Sequence, residues 1–162
     1  MVKIVAVAGP PCSGKSTYAR ALGGVVFSSG RLIPPDPKIR EILDAGGMHP
    51  SDEAVTELVR LELERLSSIQ LPLVIDGFPR CGNQLRWLFN WCYIMSRPFE
   101  LHLLVVPAVL CREWAKRCDR HNGHDHRSAL WYAVQFHELI REAHRLGVTW
   151  KAIYDEGETK NG

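Results

Sequence analysis

The stretch VKIVAVAGPPCSGKST, Val2 to Thr17, decides how the rest of the chain is read. Val2 to Ala8 is an apolar run of strand length, and Gly9, Gly14, Lys15 and Ser16 then fit the spacing G-x-x-x-x-G-K-[ST]. No breaker stands between Ser16 and Leu22, so a helix can begin inside the loop. The backbone N–H groups of such a turn converge, and the positive end of the following helix adds to them, which makes the turn an anion site. The two glycines let the chain curl against phosphate oxygens, Lys15 supplies a point charge for the outer phosphates, and the Ser16 hydroxyl is a magnesium ligand.

Outward from this turn, Val25 to Phe27 predicts a second, short buried strand, and Ser28-Ser29-Gly30 a second turn at the same edge. Ile39, Ile42 and Leu43 show helical spacing up to Gly46-Gly47, and a helix starting near Pro50 and Asp52 carries Val55, Leu58, Val59 and Leu66. Leu71 to Ile75 predicts a third strand ending in Asp76-Gly77, followed by a helix with Leu85, Leu88, Phe89 and Cys92 on its apolar side. Trp87 and Trp91 widen that stripe, and these two with Trp114 are expected in the core. Leu101 to Val106 predicts a fourth strand, apolar except for His102, up to Pro107, and such runs belong to parallel sheets covered on both faces. A helix through Leu110, Trp114 and Cys118, a polar loop from Asp119 to His126, a helix with Phe136, Leu139, Ile140 and Ala143 closed by Gly147, and a strand from Thr149 to Tyr154 complete the pattern. Alternating strands and helices predict an α/β doubly wound sheet with ligands at the strand C-terminal ends, and Asp155 to Gly162 a disordered tail.

The 162 residues suit a single domain, and their formal charge of +2 is spread without basic blocks, so neither nucleic acid nor an anionic membrane is expected as a partner. The most apolar stretch is far shorter than a membrane span. The five cysteines, Cys12, Cys81, Cys92, Cys111 and Cys118, are odd in number and lack C-x-x-C spacing, which fits a reduced compartment. With no leader pattern ahead of the first strand, a cytoplasmic protein is expected.

Through GPPCSGKST, SSG at Ser28 to Gly30, ILDAGGMHPSDEAV at Ile42 to Val55, and DGFPR at Asp76 to Arg80 followed by Gln84, the sequence resembles the adenylate kinase family of nucleoside monophosphate kinases. The resemblance implies a five-stranded parallel core with helices on both faces (1–28, 67–117, 128–155), a small helical monophosphate-binding insert (about 29–66) and a short lid (about 118–127). It implies transfer of a phosphoryl group from Mg-ATP to a nucleoside monophosphate, by a monomer. ATP would lie on Gly9, Pro11, Cys12, Ser13, Gly14, Lys15, Ser16 and Thr17, with magnesium held by Ser16 and Asp76. The monophosphate would lie among Ser29, Gly30, Arg31, Met48, His49, Gly77, Arg80 and Gln84, where Arg80 grips its phosphate and Gln84 reads an adenine edge. Lys15, Arg80 and the lid arginines Arg117, Arg120 and Arg127 would serve the transferring group. Arginine suits that work because its planar fork grips phosphate bidentately.

The chain departs from the family pattern in several places. Pro34 stands where a phosphate-binding arginine is usual, and Arg31 or Arg40 is the candidate replacement. The lid pattern is replaced by a histidine-rich segment, and the family's last helix has no counterpart, so the last strand is expected to be covered in another way or by a partner. Cys118, His121, His124 and His126 have zinc-ligand chemistry, but their irregular spacing in a tiny loop fits solvated histidines better. Two function classes stay open: a kinase acting on AMP first, then CMP, UMP or a deoxy analogue, and a nucleotide-binding module that has lost transfer.

Overall fold

The computed structural model describes residues 2–10, 13–33, 52–106 and 131–154. Five strands, β1 (Ile4–Ala8), β2 (Val25–Ser28), β3 (Leu73–Asp76), β4 (Phe99–Val105) and β5 (Trp150–Tyr154), form one sheet in the order β2-β3-β1-β4-β5. Every neighbouring pair is parallel. The helices are α1 (Lys15–Ala21), α2 (Ser29–Leu32), α3 (Asp52–Arg65), α4 (Gly82–Ile94) and α5 (His137–Leu146), the last preceded by a π-helical turn over Trp131–Phe136.

Alternation along the strands divides the apolar side chains between two cores. Ile4, Ala6, Leu73, Ile75, Leu101 and Leu103 pack with Val55, Val59 and Leu63 of α3, Leu85, Leu88 and Cys92 of α4, and Leu139 and Ala143 of α5. On the other face Val5, Val7, Val74 and Leu104 pack with Ala19 of α1. Helices therefore cover both faces, as the unbroken apolar strands predict. Trp87 and Trp91 pack against the first core, as expected, with Trp87 edge-on to Phe78.

Element edges depart from the sequence reading where the backbone decides. β3 begins at Leu73 instead of Leu71, because Pro72 has no N–H to give a ladder; its carbonyl instead accepts from Val25 N–H at 2.9 Å. An added Cβ on Gly24 (φ 91°) would lie 2.3 Å from that carbonyl oxygen, so this turn needs glycine. β4 begins at Phe99, since Phe99 and Glu100 already pair with Ile4 and Val5. The turn expected at Ser28 to Gly30 is a short helix over Ser29 to Leu32. Helix α4 ends with Ser96 at φ 52°, its N–H bonded to Tyr93 O and the Arg97 N–H to Cys92 O, the pattern glycine usually supplies.

Candidate functional site

β1 and β3 are neighbours, with Val7 opposite Asp76, but the chain leaves β1 for α1 on one face and β3 for α4 on the other. Diverging connections at adjacent strand ends open a crevice there. Gly77 N–H bonds Val7 O at 2.9 Å and holds the two exits together.

On the β1 side, Gly14 at φ 83° turns the chain into α1, and Tyr18 N–H closes the first turn on Gly14 O at 2.9 Å. Ser16 Oγ donates to Asp76 Oδ2 at 2.6 Å, which joins the loop to the end of β3. Asp76 is buried, so its carboxylate gains from that donor. Lys15 Nζ donates to Pro10 O at 2.8 Å across the loop. The Ser13 hydroxyl is buried with no hydrogen-bond partner among the described residues, and an added Cβ on Gly9 would come within 2.9 Å of it. A lysine, an orphaned hydroxyl and a hydroxyl–carboxylate pair at one strand edge fit a phosphate chain with magnesium, whose hard oxygen ligands usually come from one or two side chains and the phosphates themselves.

On the β3 side, the Gly77 carbonyl accepts from Ser29 Oγ at 2.9 Å and from Arg80 Nε at 3.1 Å. Gly77 has φ 81°, and an added Cβ would stand 3.3 Å from Ser29 Oγ. The Phe78–Pro79 peptide is cis, with Phe78 buried. Ser29, Gly77 and Arg80 are therefore brought together beside Asp76. Gly30 and Arg31 are exposed in α2. Gln84 differs from the surface reading: it is 2% exposed, and its Oε1 accepts from Arg80 N–H at 2.7 Å. Pro11, Cys12, Met48, His49, Arg40, Arg117, Arg120, Arg127, Cys118, His121, His124, His126 and Trp114 lie outside the described residues.

Sequence spacing carries no sign of the carboxylates that brace this edge. Glu138 Oε1 of α5 accepts from Gly82 N–H at 2.8 Å and satisfies the first turn of α4. One turn on, Glu142 accepts from Arg86 and Arg145, and these arginines, Arg145 first, hold its carboxyl at about 2. The bonds from α4 to both carboxylates are illegible in sequence because each spans 56 residues.

A phosphate-type loop after β1, an acid at the end of β3 and the strand order β2-β3-β1-β4-β5 define the α/β fold of the P-loop nucleoside monophosphate kinase type. Among curated proteins the chain is similar to adenylate kinases. That of Mycoplasmopsis pulmonis is 32% identical over 56% of this chain and 47% of the relative. That of Thermotoga maritima is 26% identical over 74% and 63%, and that of Prochlorococcus marinus 32% identical over 67% and 64%. The matched part thus spans between about half and just under two thirds of these relatives' length. No family model matches the chain. Among the described residues no helix is long and apolar enough to cross a membrane.

Proposed function

We propose that this chain moves the γ-phosphoryl group of ATP to a nucleoside monophosphate, AMP first, with CMP, UMP or a deoxynucleoside monophosphate as the alternative acceptors. The observation that carries the reading is the meeting of two half-sites at one edge: Ser16 bonded to Asp76, and the Gly77 carbonyl gathering Ser29 and Arg80 next to it. The similarity to adenylate kinases supports it.

In this reading the loop amides, Ser13 and Lys15 hold the donor phosphates, and Ser16 and Asp76 hold magnesium, which when bound neutralises charge on the outer phosphate oxygens. Arg80 leaves the Gly77 carbonyl to grip the acceptor phosphate, and Arg31 or Arg40 supplies the cation missing at Pro34. An acceptor phosphate oxygen forms the new bond to the γ-phosphorus as the bond to ADP breaks, leaving ADP and a nucleoside diphosphate. Such a transfer asks for alignment and charge cancellation more than covalent help. The insert and the lid, with Arg117, Arg120 and Arg127, close over both nucleotides and exclude water, which would otherwise hydrolyse ATP. The protein works as a cytoplasmic monomer.

One observation favours the second reading, a module that binds ATP without transfer: Arg80 Nε and Gln84 Oε1 are both engaged with backbone. A coupled assay with Mg-ATP against a panel of nucleoside monophosphates separates the two. Turnover of about 1–100 per second with at least one acceptor is expected. Tight ATP binding with no ADP formed from any acceptor would instead establish the module. Lys15→Ala should lower kcat/KM by about 100-fold or more, since it removes a cation from the charge-bearing phosphates.

A further inference from the structure

We propose that Tyr18 and His102 are positioning residues for the phosphate loop: the hydrogen bond between them fixes how α1 sits on the sheet, and through α1 the placement of Lys15 and Ser16. The proposal deepens the reading of the loop as the ATP site and rests on it.

Helix α1 has seven residues, and only Ala19 among them is fully buried. Besides that methyl group, the described ties of this short helix to the sheet are the Ser16–Asp76 bond at its first turn and the Tyr18 side chain. The helix packs over β1, β2 and β3. Tyr18 reaches the other way, past β1 to β4, where its hydroxyl lies 2.9 Å from His102 Nδ1 and the two rings meet edge to face at 5.8 Å. His102 and Glu100 are the two polar residues of the fourth strand, and His102 is buried.

The bond has a fixed direction because the far side of the ring is held. His102 Nε2 lies 3.0 Å from Glu100 Oε2, and Glu100 also pairs with Lys3 at 2.6 Å and faces Lys151 at 3.7 Å. A carboxylate accepts and cannot donate, so Nε2 carries the proton, and Nδ1 accepts from the Tyr18 hydroxyl. Lys3 on the approach to β1, Glu100 and His102 on β4 and Tyr18 on α1 thus make one connected line with both imidazole nitrogens satisfied. Lys15 stands three residues before Tyr18, on the same side of the helix, so the anchored ring sets the direction in which the lysine leaves the turn. Tyr18 and His102 themselves lie outside the crevice between β1 and β3, and the transfer chemistry gives them no task there.

The test is Tyr18→Phe, which removes the hydroxyl and keeps the ring, with His102→Leu and the double variant as a cycle, each assayed well below its own melting temperature. Expected are a KM for ATP raised about 3–10-fold, as for one lost hydrogen bond, with kcat and the acceptor KM within about twofold of the parent. His102→Leu should add little further in the Tyr18→Phe background, because one bond is lost in both. A lowered melting temperature with an unchanged KM for ATP would overturn the proposal, since the bond would then serve only the fold. An equal rise in both KM values would overturn it too. If the parent transfers to no acceptor, the Mg-ATP dissociation constant from calorimetry takes the place of KM, so the kinase reading fails while the same comparison of Tyr18→Phe with the parent still decides the positioning role.

Discussion

Gln84 shows how one side chain can answer to backbone before it answers to a ligand. Its Oε1 holds the Arg80 N–H just ahead of α4, in the manner of the glutamine of a capping box. Gln84→Ala should therefore cost about 1–3 kcal/mol of stability, read from urea unfolding, because a part-buried N–H loses its partner. Gly77 is the companion case. Gly77→Ala forces an L side chain into φ 81° and against Ser29, and should cost about 1–2 kcal/mol while raising the acceptor KM through Arg80. Arg31 tests the departure at Pro34. If Arg31 grips the acceptor phosphate, Arg31→Ala should raise the monophosphate KM about 10–100-fold, the loss of a charged hydrogen bond, with the KM for ATP unchanged. An unchanged monophosphate KM returns the role to Arg40.

Between elements, the contact of α4 with α5 is where charge does structural work. Arg145 and Arg86 hold Glu142 at about 2, below its ordinary 4.5, so the folded state binds that proton less readily than the unfolded chain. The stability this adds is complete above about pH 4.5 and is lost as pH falls toward 2. Urea midpoints measured down that range should drop, and Glu142→Gln should flatten the slope; an unchanged slope would show that the pair is fully screened. Glu100, held at about 2 by Lys3 and His102, contributes to the same window on the opposite face. What is readable in sequence follows from range. Gly9, Gly14, Lys15 and Ser16 lie within one turn, and strands buried on both sides, such as Ile4–Ala8, show an apolar run without polar alternation, so loop and sheet can be read directly. The partner of Gly82 comes from α5 and that of Tyr18 from β4, and no local spacing encodes either. The start of β4 escapes the apolar pattern because Glu100 belongs to the ladder while its charge disguises it.

At the scale of the whole molecule, occupancy of the β1 edge should appear as resistance to heat. Mg-ATP at about 100 times its dissociation constant should stabilise the fold by about 2.7 kcal/mol, roughly 5–10 °C in melting temperature, and Lys15→Ala should abolish most of the shift. Removal of divalent zinc by a chelator should leave the melting temperature of the unliganded protein where it was. The burial of Cys92 in the core between sheet and helices has a last consequence. It is 1% exposed, and burial pushes its thiol up to about 12, so the nucleophilic thiolate is scarce at neutral pH. Alkylation of that sulfur by iodoacetamide, followed residue by residue in a mass spectrometer, becomes a clock for how often the interior opens, and saturating nucleotide should slow its ticking.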